Sequence, residues 1–301
     1  MKHLLDGFEF SPEEYLEILD TAAAMKARPE NYAGVLRGRS GALMFEKPSL
    51  RTRTTFELAF YRLGGHGVYL DLQNGELGRR ESIGDYARNL CRWVDCLVGR
   101  VFAQRTLEEL AKYGSVPVIN ALSDRYHPAQ VMADYLTVRE HLGRLKGVHL
   151  AYLGDGNNVA NSLLVAGAIL GVNVSCFCPE KQGPDAEIFA RASGIASRHG
   201  CKLAVHSSLD ELPGHEVVYT DTWVSMGDNT PLDEVRERYQ PYQVNAALMA
   251  QAKPTALFMH CLPSYHDTRT KVGADIAARF GLTEMEVTDE VFEAKQSVVF
   301  D

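Results

Sequence analysis

The sequence predicts an α/β fold of two domains, each a mostly parallel sheet flanked by helices. Short apolar runs alternate along the chain with longer segments of helical periodicity, which is the pattern of βαβ units and parallel sheets. The 301 residues are 46% hydrophobic, enough for two domains of ordinary size with their own cores. Open parallel sheets bind ligands where loops leave the carboxyl ends of the strands, so the site residues are sought in those loops.

The first half of the chain alternates predicted strands with predicted helices. The clearest helix carries Phe56, Phe60 and Leu63, whose spacing gives it one apolar face. A glycine pair at 64 and 65 ends that helix. The predicted strands cover 41–46, 67–72, 96–101 and 116–122, and the predicted helices cover 49–63, 82–94, 106–114 and 128–141.

The second half restarts this alternation after a break between Gly143 and Gly147. The predicted strands cover 148–154, 172–179, 202–206, 216–223 and 255–261, and the predicted helices cover 158–170 and 185–199. We therefore expect a first domain over 1–142 and a second over 143–286. The segment 287–301 is expected to return to the first domain.

The charge balance argues against nucleic-acid and membrane partners. The chain has 31 Lys and Arg against 39 Asp and Glu, and the formal net charge of −8 repels polyanions over most of the surface. No segment has the apolar core of a signal peptide or approaches the roughly 18 apolar residues of a membrane span. We expect a cytoplasmic protein.

The six cysteines show no metal-ligand spacing. Cys176 and Cys178 alternate in a predicted strand without a matching histidine pair. Reduced, mostly buried thiols are therefore expected, and neither a metal nor an organic cofactor is predicted.

The stretch FEKPSLRTRTTFE, residues 45–57, places basic and hydroxyl side chains at a strand-to-helix turn. Ser49 is a natural N-cap, and the backbone N–H groups that follow it form an anion site. Arg51 adds a fork suited to phosphate. Threonines and first-turn arginines do not favour a helix, so phosphate binding explains them better than helix stability does. The alternative is an ordinary serine cap beside a solvated arginine.

The stretch HPAQ, residues 127–130, lies at the end of the predicted strand 116–122. His127 caps the helix that Pro128 opens, and Gln130 lies in the first turn. Both side chains can donate to a carbonyl or phosphate oxygen at that edge of the sheet. The alternative is a capping histidine with a structural role only.

The second half offers amide, carboxylate and thiol groups at strand ends. In GDGNNV (154–159), Val159 stands where a dinucleotide-binding fingerprint has its third glycine. The two consecutive asparagines suggest instead the recognition of a polar or zwitterionic ligand. Asp221 and Cys261 each lie at a strand end and are suitable partners for a substrate ammonium. The alternative is an ordinary loop residue and a buried cysteine.

Together these residues resemble the motifs of the aspartate/ornithine carbamoyltransferase family over nearly the whole chain. Ser49-Leu50-Arg51-Thr52 is similar to the family's phosphate motif, 127–130 to its His-Pro-x-Gln motif, and Arg100 to its arginine after the third strand. Asp221 with Ser225-Met226-Gly227, and His260-Cys261-Leu262-Pro263, resemble the ornithine branch, because the aspartate branch has proline where Cys261 stands.

The resemblance implies an activity and a role for each matching residue. The implied ligands of carbamoyl phosphate are Ser49, Leu50, Arg51, Thr52, Arg100, His127, Gln130, Cys261 and Leu262. The implied ligands of ornithine are Asn158, Asp221, Ser225 and Met226, and the implied catalytic residues are Arg100, His127, Asp221 and Cys261. The implied reaction transfers the carbamoyl group of carbamoyl phosphate to the δ-amine of L-ornithine, giving L-citrulline for arginine biosynthesis, in a homotrimer or a multiple of trimers.

Two residues depart from the family pattern. Leu50 stands where threonine is usual, and Glu76 stands near a position where many members have a glutamine that reaches a neighbouring subunit. The family also continues past Asp301 into a final helix, so a truncated sequence is expected. Alternatives that stay open are a carbamoyltransferase for putrescine or an acylated ornithine, and a catalytically silent ligand-binding paralogue. A nucleotide-dependent oxidoreductase is disfavoured by Val159.

Overall fold

The computed structural model describes residues 2–72, 77–223 and 231–301. The chain divides into two compact units, Met1–Ala133 and Asp134–Asp301. Each unit contains a parallel sheet flanked by helices, so the predicted α/β architecture is confirmed. The division falls inside the helix that begins at Pro128, whereas the sequence suggested a boundary near Gly143.

The first unit is built on strands that pair in the order β2-β1-β3-β4, all parallel. Its elements are α1 (Pro12–Ala27), β1 (Ser40–Phe45), α2 (Leu50–Arg62), β2 (His66–Asp71), α3 (Ile83–Leu90), β3 (Cys96–Arg100), α4 (Gln104–Tyr113), β4 (Val118–Leu122) and α5 (Pro128–Leu142), the last of which continues into the second unit. Alternate residues of β1 face opposite cores, because side chains of a strand alternate between its faces. Ala42 and Met44 pack in one cluster with Leu107, while Phe45 packs in another with Phe60.

The second unit is built on strands that pair in the order β7-β6-β5-β8-β9, again all parallel. Its elements are β5 (His149–Leu153), α6 (Asn158–Leu170), β6 (Asn173–Phe177), α7 (Ala186–His199), β7 (Leu203–His206), β8 (Val217–Thr220), α8 (Leu232–Tyr239), α9 (Ala246–Met249), β9 (Leu257–His260), α10 (Lys271–Phe280) and α11 (Asp289–Phe292). Every residue of α6 from Val159 to Leu170 is buried, as expected of a helix that is apolar on nearly all sides. The neighbouring strands β5, β8 and β9 end at one edge of this sheet.

The C-terminal segment does not return to the first unit as the sequence interpretation expected. It lies in the second unit, where Phe258 N–H donates to Gln296 O at 2.9 Å and Val298 N–H donates to Phe258 O at 3.0 Å. These bonds extend the edge of β9, and Val298 is itself buried. Backbone groups at a sheet edge need partners, and the segment supplies them to β9.

Among the helices of the described residues, α1, α8, α9, α10 and α11 are outside the predicted set. Helix α1 begins with a capping box, in which Ser11 Oγ accepts from Glu14 N–H and Glu14 accepts from Ser11 N–H. The Ser-Pro-Glu-Glu stretch at 11–14 carries that signal in the sequence. Helix α10 is capped by Thr270, which accepts from Gly273 N–H at 2.9 Å. In the three described ranges, no helix is long and apolar enough to cross a bilayer.

Candidate active site

The start of α2 is joined to the end of β3 through Thr52. Ser49 is the N-cap, and its Oγ accepts from Thr52 N–H at 3.3 Å. The Thr52 hydroxyl oxygen accepts from the Ser49 hydroxyl at 3.0 Å and from Arg100 Nη1 at 3.4 Å. The structure thus brings three predicted phosphate ligands, Ser49, Thr52 and Arg100, into one hydrogen-bonded group. Leu50 and Arg51 are exposed on the first turn, with Leu50 80% exposed.

Two other residues of this stretch hold the helix rather than face a ligand. Arg53 Nε pairs with Glu57 at 3.1 Å, one helical turn on, and its guanidinium lies 3.6 Å from the centroid of the Tyr69 ring. The hydroxyl of Thr55 donates to Arg51 O at 2.9 Å. A structural role for Arg53 accounts for both of its contacts.

His127 is held in its neutral form. It immediately precedes α5, and Gln130 lies half-buried in the first turn of that helix. Burial, with the positive charge of Arg100, lowers the pKa of His127 from 6.5 to about 3. A neutral imidazole has one N–H donor and one acceptor nitrogen, so His127 can donate to a carbonyl oxygen without carrying a charge.

Glu46 fixes the backbone around these residues, a role that the sequence reading did not assign. Glu46 is 5% exposed, and its carboxylate accepts from Leu77 N–H and Phe102 N–H, both at 2.8 Å. The second bond holds the chain two residues beyond Arg100. A charged residue closing an otherwise apolar strand, GALMFE, was the signal available in the sequence.

Positive charge accumulates beside this group. Lys47 Nζ lies 4.6 Å from the centroid of the Phe102 ring. Burial and the charge of Arg100 lower the pKa of Lys47. An anionic ligand would stabilise Lys47 and Arg100, because each positive charge disfavours the other. The exposed Arg51, in the first turn of α2, adds a third positive charge.

In the second unit, Asp221 is the centre of a cluster formed by neighbouring strand ends. It follows β8, and its Oδ1 accepts from Thr222 N–H at 2.7 Å and from Cys261 Sγ at 2.8 Å. Its Oδ2 accepts from Asn157 Nδ2 at 2.7 Å. Asn157 follows β5 and Cys261 follows β9, so three adjacent strands contribute to one carboxylate site.

Asn157 contacts the Asp221 carboxylate, a role that the sequence did not predict. Its Oδ1 caps α6 by accepting from Val159 N–H at 2.9 Å and Ala160 N–H at 3.2 Å. Its amide nitrogen is thereby turned toward Asp221. The sequence signal was the Asn-Asn pair itself, which does not say which asparagine caps the helix and which opens it. Asn158 is the first residue of α6.

The thiol of Cys261 stays protonated at neutral pH. Burial, followed by the charge of Asp221 and the hydrogen bond to it, raises the pKa of Cys261 well above its ordinary value. Cys261 is therefore a donor to Asp221 and not a thiolate. The carboxylate of Asp221 is the anionic group that a substrate ammonium would meet.

Asp221, His260 and Cys261 also have the atom types and proximity of a metal-ligand set. Both ring nitrogens of His260 are engaged, because Nδ1 accepts from Leu262 N–H at 2.8 Å and Nε2 lies 3.2 Å from Glu286 Oε1. A metal ion at this point would have to break one of these bonds, so the set is not prepared for one.

The glycines of GDGNNV have a structural use. A Cβ atom at Gly156 would collide with the backbone of Gly183 and Pro184. Gly156 N–H also donates to Gln182 O at 2.8 Å. In a dinucleotide fingerprint, a glycine of this kind lets the backbone approach a pyrophosphate. Here the backbone at 183–184 occupies that space, which, like Val159, argues against a dinucleotide site.

Some predicted site residues lie outside the described residues. These are Ser225 and Met226 of the implied ornithine loop, with Gly227, and the departing residue Glu76.

Comparison with known families identifies the family of the chain that carries the Ser49–Thr52–Arg100 group and the Asp221 cluster. The carbamoyl-P binding domain of aspartate/ornithine carbamoyltransferase matches residues 2–140, and the Asp/Orn binding domain of the same family matches residues 146–301. The chain belongs to the aspartate/ornithine carbamoyltransferase family. The resemblance inferred from the motifs is thereby confirmed.

Individual relatives carry the name of the ornithine branch of this family. An ornithine carbamoyltransferase of Shewanella oneidensis is 46% identical over 299 residues, which span 99% of this chain and 93% of that protein. A catabolic ornithine carbamoyltransferase of Streptococcus agalactiae is 46% identical over 97% of this chain and 88% of its own length. The solved ornithine carbamoyltransferase of Pyrococcus furiosus superposes with a TM-score of 0.89 at 41% identity, covering 99% of this chain and 91% of its own.

The neutral state of the half-buried His127 predicts how stability depends on pH. Because its pKa falls from 6.5 to about 3 on folding, the unfolded chain binds the extra proton between these values. Stability should therefore rise as pH increases from about 3 to 6.5 and lose this dependence above it. In His127→Gln, urea unfolding between pH 4 and pH 7 should show a shallower rise.

The exposed His66, replaced by glutamine, is the control and should leave the slope of wild type unchanged. Some slope will remain in both variants, since burial also lowers the pKa values of His3 and His215. Equal slopes for wild type and His127→Gln would show that His127 is solvated and charged in the folded protein.

Proposed function

We propose that this chain transfers the carbamoyl group of carbamoyl phosphate to the δ-amine of L-ornithine, giving L-citrulline and phosphate. The observation that carries the proposal is the Asp221 cluster, in which a carboxylate is paired with Cys261 at 2.8 Å. A cysteine at this position is typical of the ornithine branch. A carboxylate at the strand ends suits an amine substrate, whereas an aspartate substrate would be repelled there.

The first unit supplies the charge for the phosphate. Arg51, Arg100 and the backbone N–H groups after Ser49 are the groups that we propose bind it, with the hydroxyl of Thr52 fixed between Ser49 and Arg100. Leu50 offers its backbone N–H at the same turn. These groups stabilise the negative charge that grows on the phosphate as it leaves.

The carbamoyl group requires donors that do not move during the reaction. We propose that neutral His127, Arg100 and the Cys261-Leu262 turn contact its carbonyl oxygen and amide, with Gln130 as a further partner. A neutral imidazole beside Arg100 presents an N–H to an oxygen that is gaining charge. Fixed donors of this kind are the largest single contribution to catalysis of many acyl transfers.

The amine is handled in the second unit. Asp221 and Asn158 are the proposed ligands of ornithine, together with Ser225 and Met226. The δ-amine must lose its proton before its lone pair attacks the carbonyl carbon. A C–N bond then forms and the C–O bond to phosphate breaks. Phosphate departs with that electron pair and takes up the proton that the attacking nitrogen loses. Holding both substrates in line supplies much of the rate.

We further propose that the enzyme is a cytoplasmic homotrimer, or a multiple of trimers, that serves arginine biosynthesis. All six cysteines are free thiols, the state expected in a reducing compartment. On the first unit, Leu58, Tyr61 and Val68 are 43%, 77% and 38% exposed on α2 and the edge strand β2, a surface suited to a second copy of the chain. Light scattering of the purified protein would give the assembly. One relative is named catabolic, so growth without arginine of a strain lacking the enzyme tests the direction.

A panel of amine acceptors tests the reaction. With carbamoyl phosphate, we expect steady-state turnover with L-ornithine and kcat/KM at least about 100-fold lower for putrescine, N-acetylornithine and aspartate, because each leaves a charged or hydrogen-bonding group of the site unpaired. Product should be measured as citrulline and phosphate in equal amounts. Turnover with another amine and none with L-ornithine would show that the other amine is the substrate. Absence of turnover with every amine would mean a silent ligand-binding paralogue.

Replacing Arg51 tests the phosphate half of the site. In Arg51→Ala, carbamoyl phosphate affinity measured by calorimetry should fall by about 1.5–3 kcal/mol, the usual worth of a hydrogen bond to a charged group. The fold should be retained, since Arg51 is exposed. Arg62→Ala, at the other end of the same helix, is the matched control and should bind like wild type. Equal affinities for wild type and Arg51→Ala would remove Arg51 from the site.

Replacing Asn157 separates helix capping from the support of Asp221. Serine caps helices as well as asparagine does but is too short to reach Asp221, so Asn157→Ser should keep its stability. Its kcat/KM for ornithine should fall roughly tenfold, since a hydrogen bond to a carboxylate is lost. Asn245→Ser, at the cap of α9, is the matched control and should keep wild-type kinetics. The same kcat/KM in both variants would show that Asp221 needs no support from Asn157.

A further inference from the structure

Glu286 is a fully buried carboxylate in the second unit, outside the set of residues assigned to the reaction. Its side chain is 0% exposed. Its backbone is fixed on both sides, because Val244 N–H donates to Glu286 O at 2.9 Å and Thr288 N–H donates back to Val244 O at 3.0 Å. The next residue, Val287, lies in the main core of the unit. The carboxylate therefore projects from a rigid support.

One oxygen of this carboxylate accepts hydrogen bonds from the end of β9 and from the loop that follows it. Glu286 Oε1 accepts from Tyr265 N–H at 2.7 Å and from the Ser264 hydroxyl at 2.9 Å. It also accepts from His260 Nε2 at 3.2 Å. These donors lie on both sides of the Cys261-Leu262 turn, so a single atom ties together the two ends of that turn.

His260 connects Glu286 to the turn itself through hydrogen bonds at both of its ring nitrogens. Its Nδ1 accepts from Leu262 N–H at 2.8 Å, which requires the ring proton to be on Nε2, where it faces Glu286. Leu262 has φ of 55°, in the left-handed region that a branched residue adopts only when its surroundings hold it there. The bond from Leu262 N–H to His260 is one such restraint.

We propose that Glu286 is a positioning residue that holds the Cys261-Leu262 turn in the geometry needed for transfer. This inference rests on the proposed function, in which the turn contacts the carbamoyl group and Cys261 contacts Asp221. Supporting groups that lock a reacting group are needed because small displacements are costly to the rate. The physical test is whether loss of the acceptor at Glu286 releases the turn while the rest of the unit stays folded.

A set of variants distinguishes positioning from general stability. Glu286→Gln keeps an acceptor oxygen for the three donors and removes the charge. Glu286→Leu keeps similar volume and removes the acceptor. Glu216→Leu is the matched control: Glu216 is a largely buried carboxylate of the same unit, paired with Arg144 at 2.7 Å, and it directly precedes β8 at the end of the sheet away from the site.

The first measurement does not depend on turnover. Iodoacetamide labelling, followed by peptide mass spectrometry, gives the rate for Cys261 and for the fully buried Cys176 in each variant. In Glu286→Leu, Cys261 should react about tenfold faster because the turn and its contact with Asp221 loosen, while Cys176 should keep its wild-type rate. Glu286→Gln and Glu216→Leu should both label Cys261 like wild type.

The second measurement is kinetic. Glu286→Leu should lower kcat on the order of 10- to 100-fold, and Glu286→Gln should restore it to within about threefold of wild type. The affinity for carbamoyl phosphate, measured by calorimetry, should change by less than about threefold, because the first unit binds the phosphate. A purely structural loss would instead lower the amount of folded enzyme and leave kcat per folded molecule unchanged.

The proposal is overturned if Cys261 labelling and kcat of Glu286→Leu match those of Glu216→Leu. If Glu286→Leu does not fold, His260→Asn takes its place, since the shorter side chain cannot link Glu286 to Leu262. The same two measurements then decide, and wild-type values would again overturn the proposal. A wild-type protein that makes no citrulline would contradict the proposed function alone, because the labelling result is independent of it.

Discussion

The carboxylate of Asp221 depends on a property of parallel sheets, that neighbouring strands end at the same edge. Its donors come from the ends of β5, β8 and β9, which are adjacent in the sheet although 104 residues separate Asn157 from Cys261 (261 − 157). Any change in the register of these strands would separate the donors from the carboxylate. The register is continuous across these strands, with Tyr152 beside Tyr219 and Tyr219 beside Met259, and α6 is buried in the same unit. The strand register that packs the core of the unit therefore also sets the geometry of the Asp221 cluster.

Both clusters use a helix cap as a second function. Ser49 and Asn157 each satisfy free N–H groups at the start of a helix, and each also fixes a group of the site, Thr52 in one unit and Asp221 in the other. A cap residue is ordered by the backbone it serves, so its remaining hydrogen bond costs little additional entropy. This arrangement explains why polar residues that weaken a helix interior are concentrated at its first turn.

The sequence was sufficient for the strands, the α/β class and the motif-bearing loops, since these are patterns of residues close together in the chain. Ser49 as a cap and the strand-end position of Asp221 follow from such local patterns. Glu286 does not, because its partner His260 is 26 residues away and a buried glutamate has no local signature (286 − 260). The position of the C-terminal segment could not be predicted for the same reason, because its pairing with Phe258 is a tertiary contact. The role of Asn157 as the cap of α6 depends on the exact start of that helix, which sequence patterns place only within a few residues.

Two of the four side chains that we propose for catalysis, His127 and Cys261, are held neutral by opposite means. Burial and the charge of Arg100 keep His127 unprotonated, while burial and Asp221 keep Cys261 protonated. Each is a neutral donor beside a fixed charge, and neither changes its protonation state near neutral pH. In the proposed reaction, these two groups then need no reorganisation as charge develops on the carbonyl oxygen and the amine. The amine of the substrate therefore becomes the group whose protonation limits attack, and its pKa is set by the competition between Asp221, which favours the ammonium, and loss of solvent, which disfavours it.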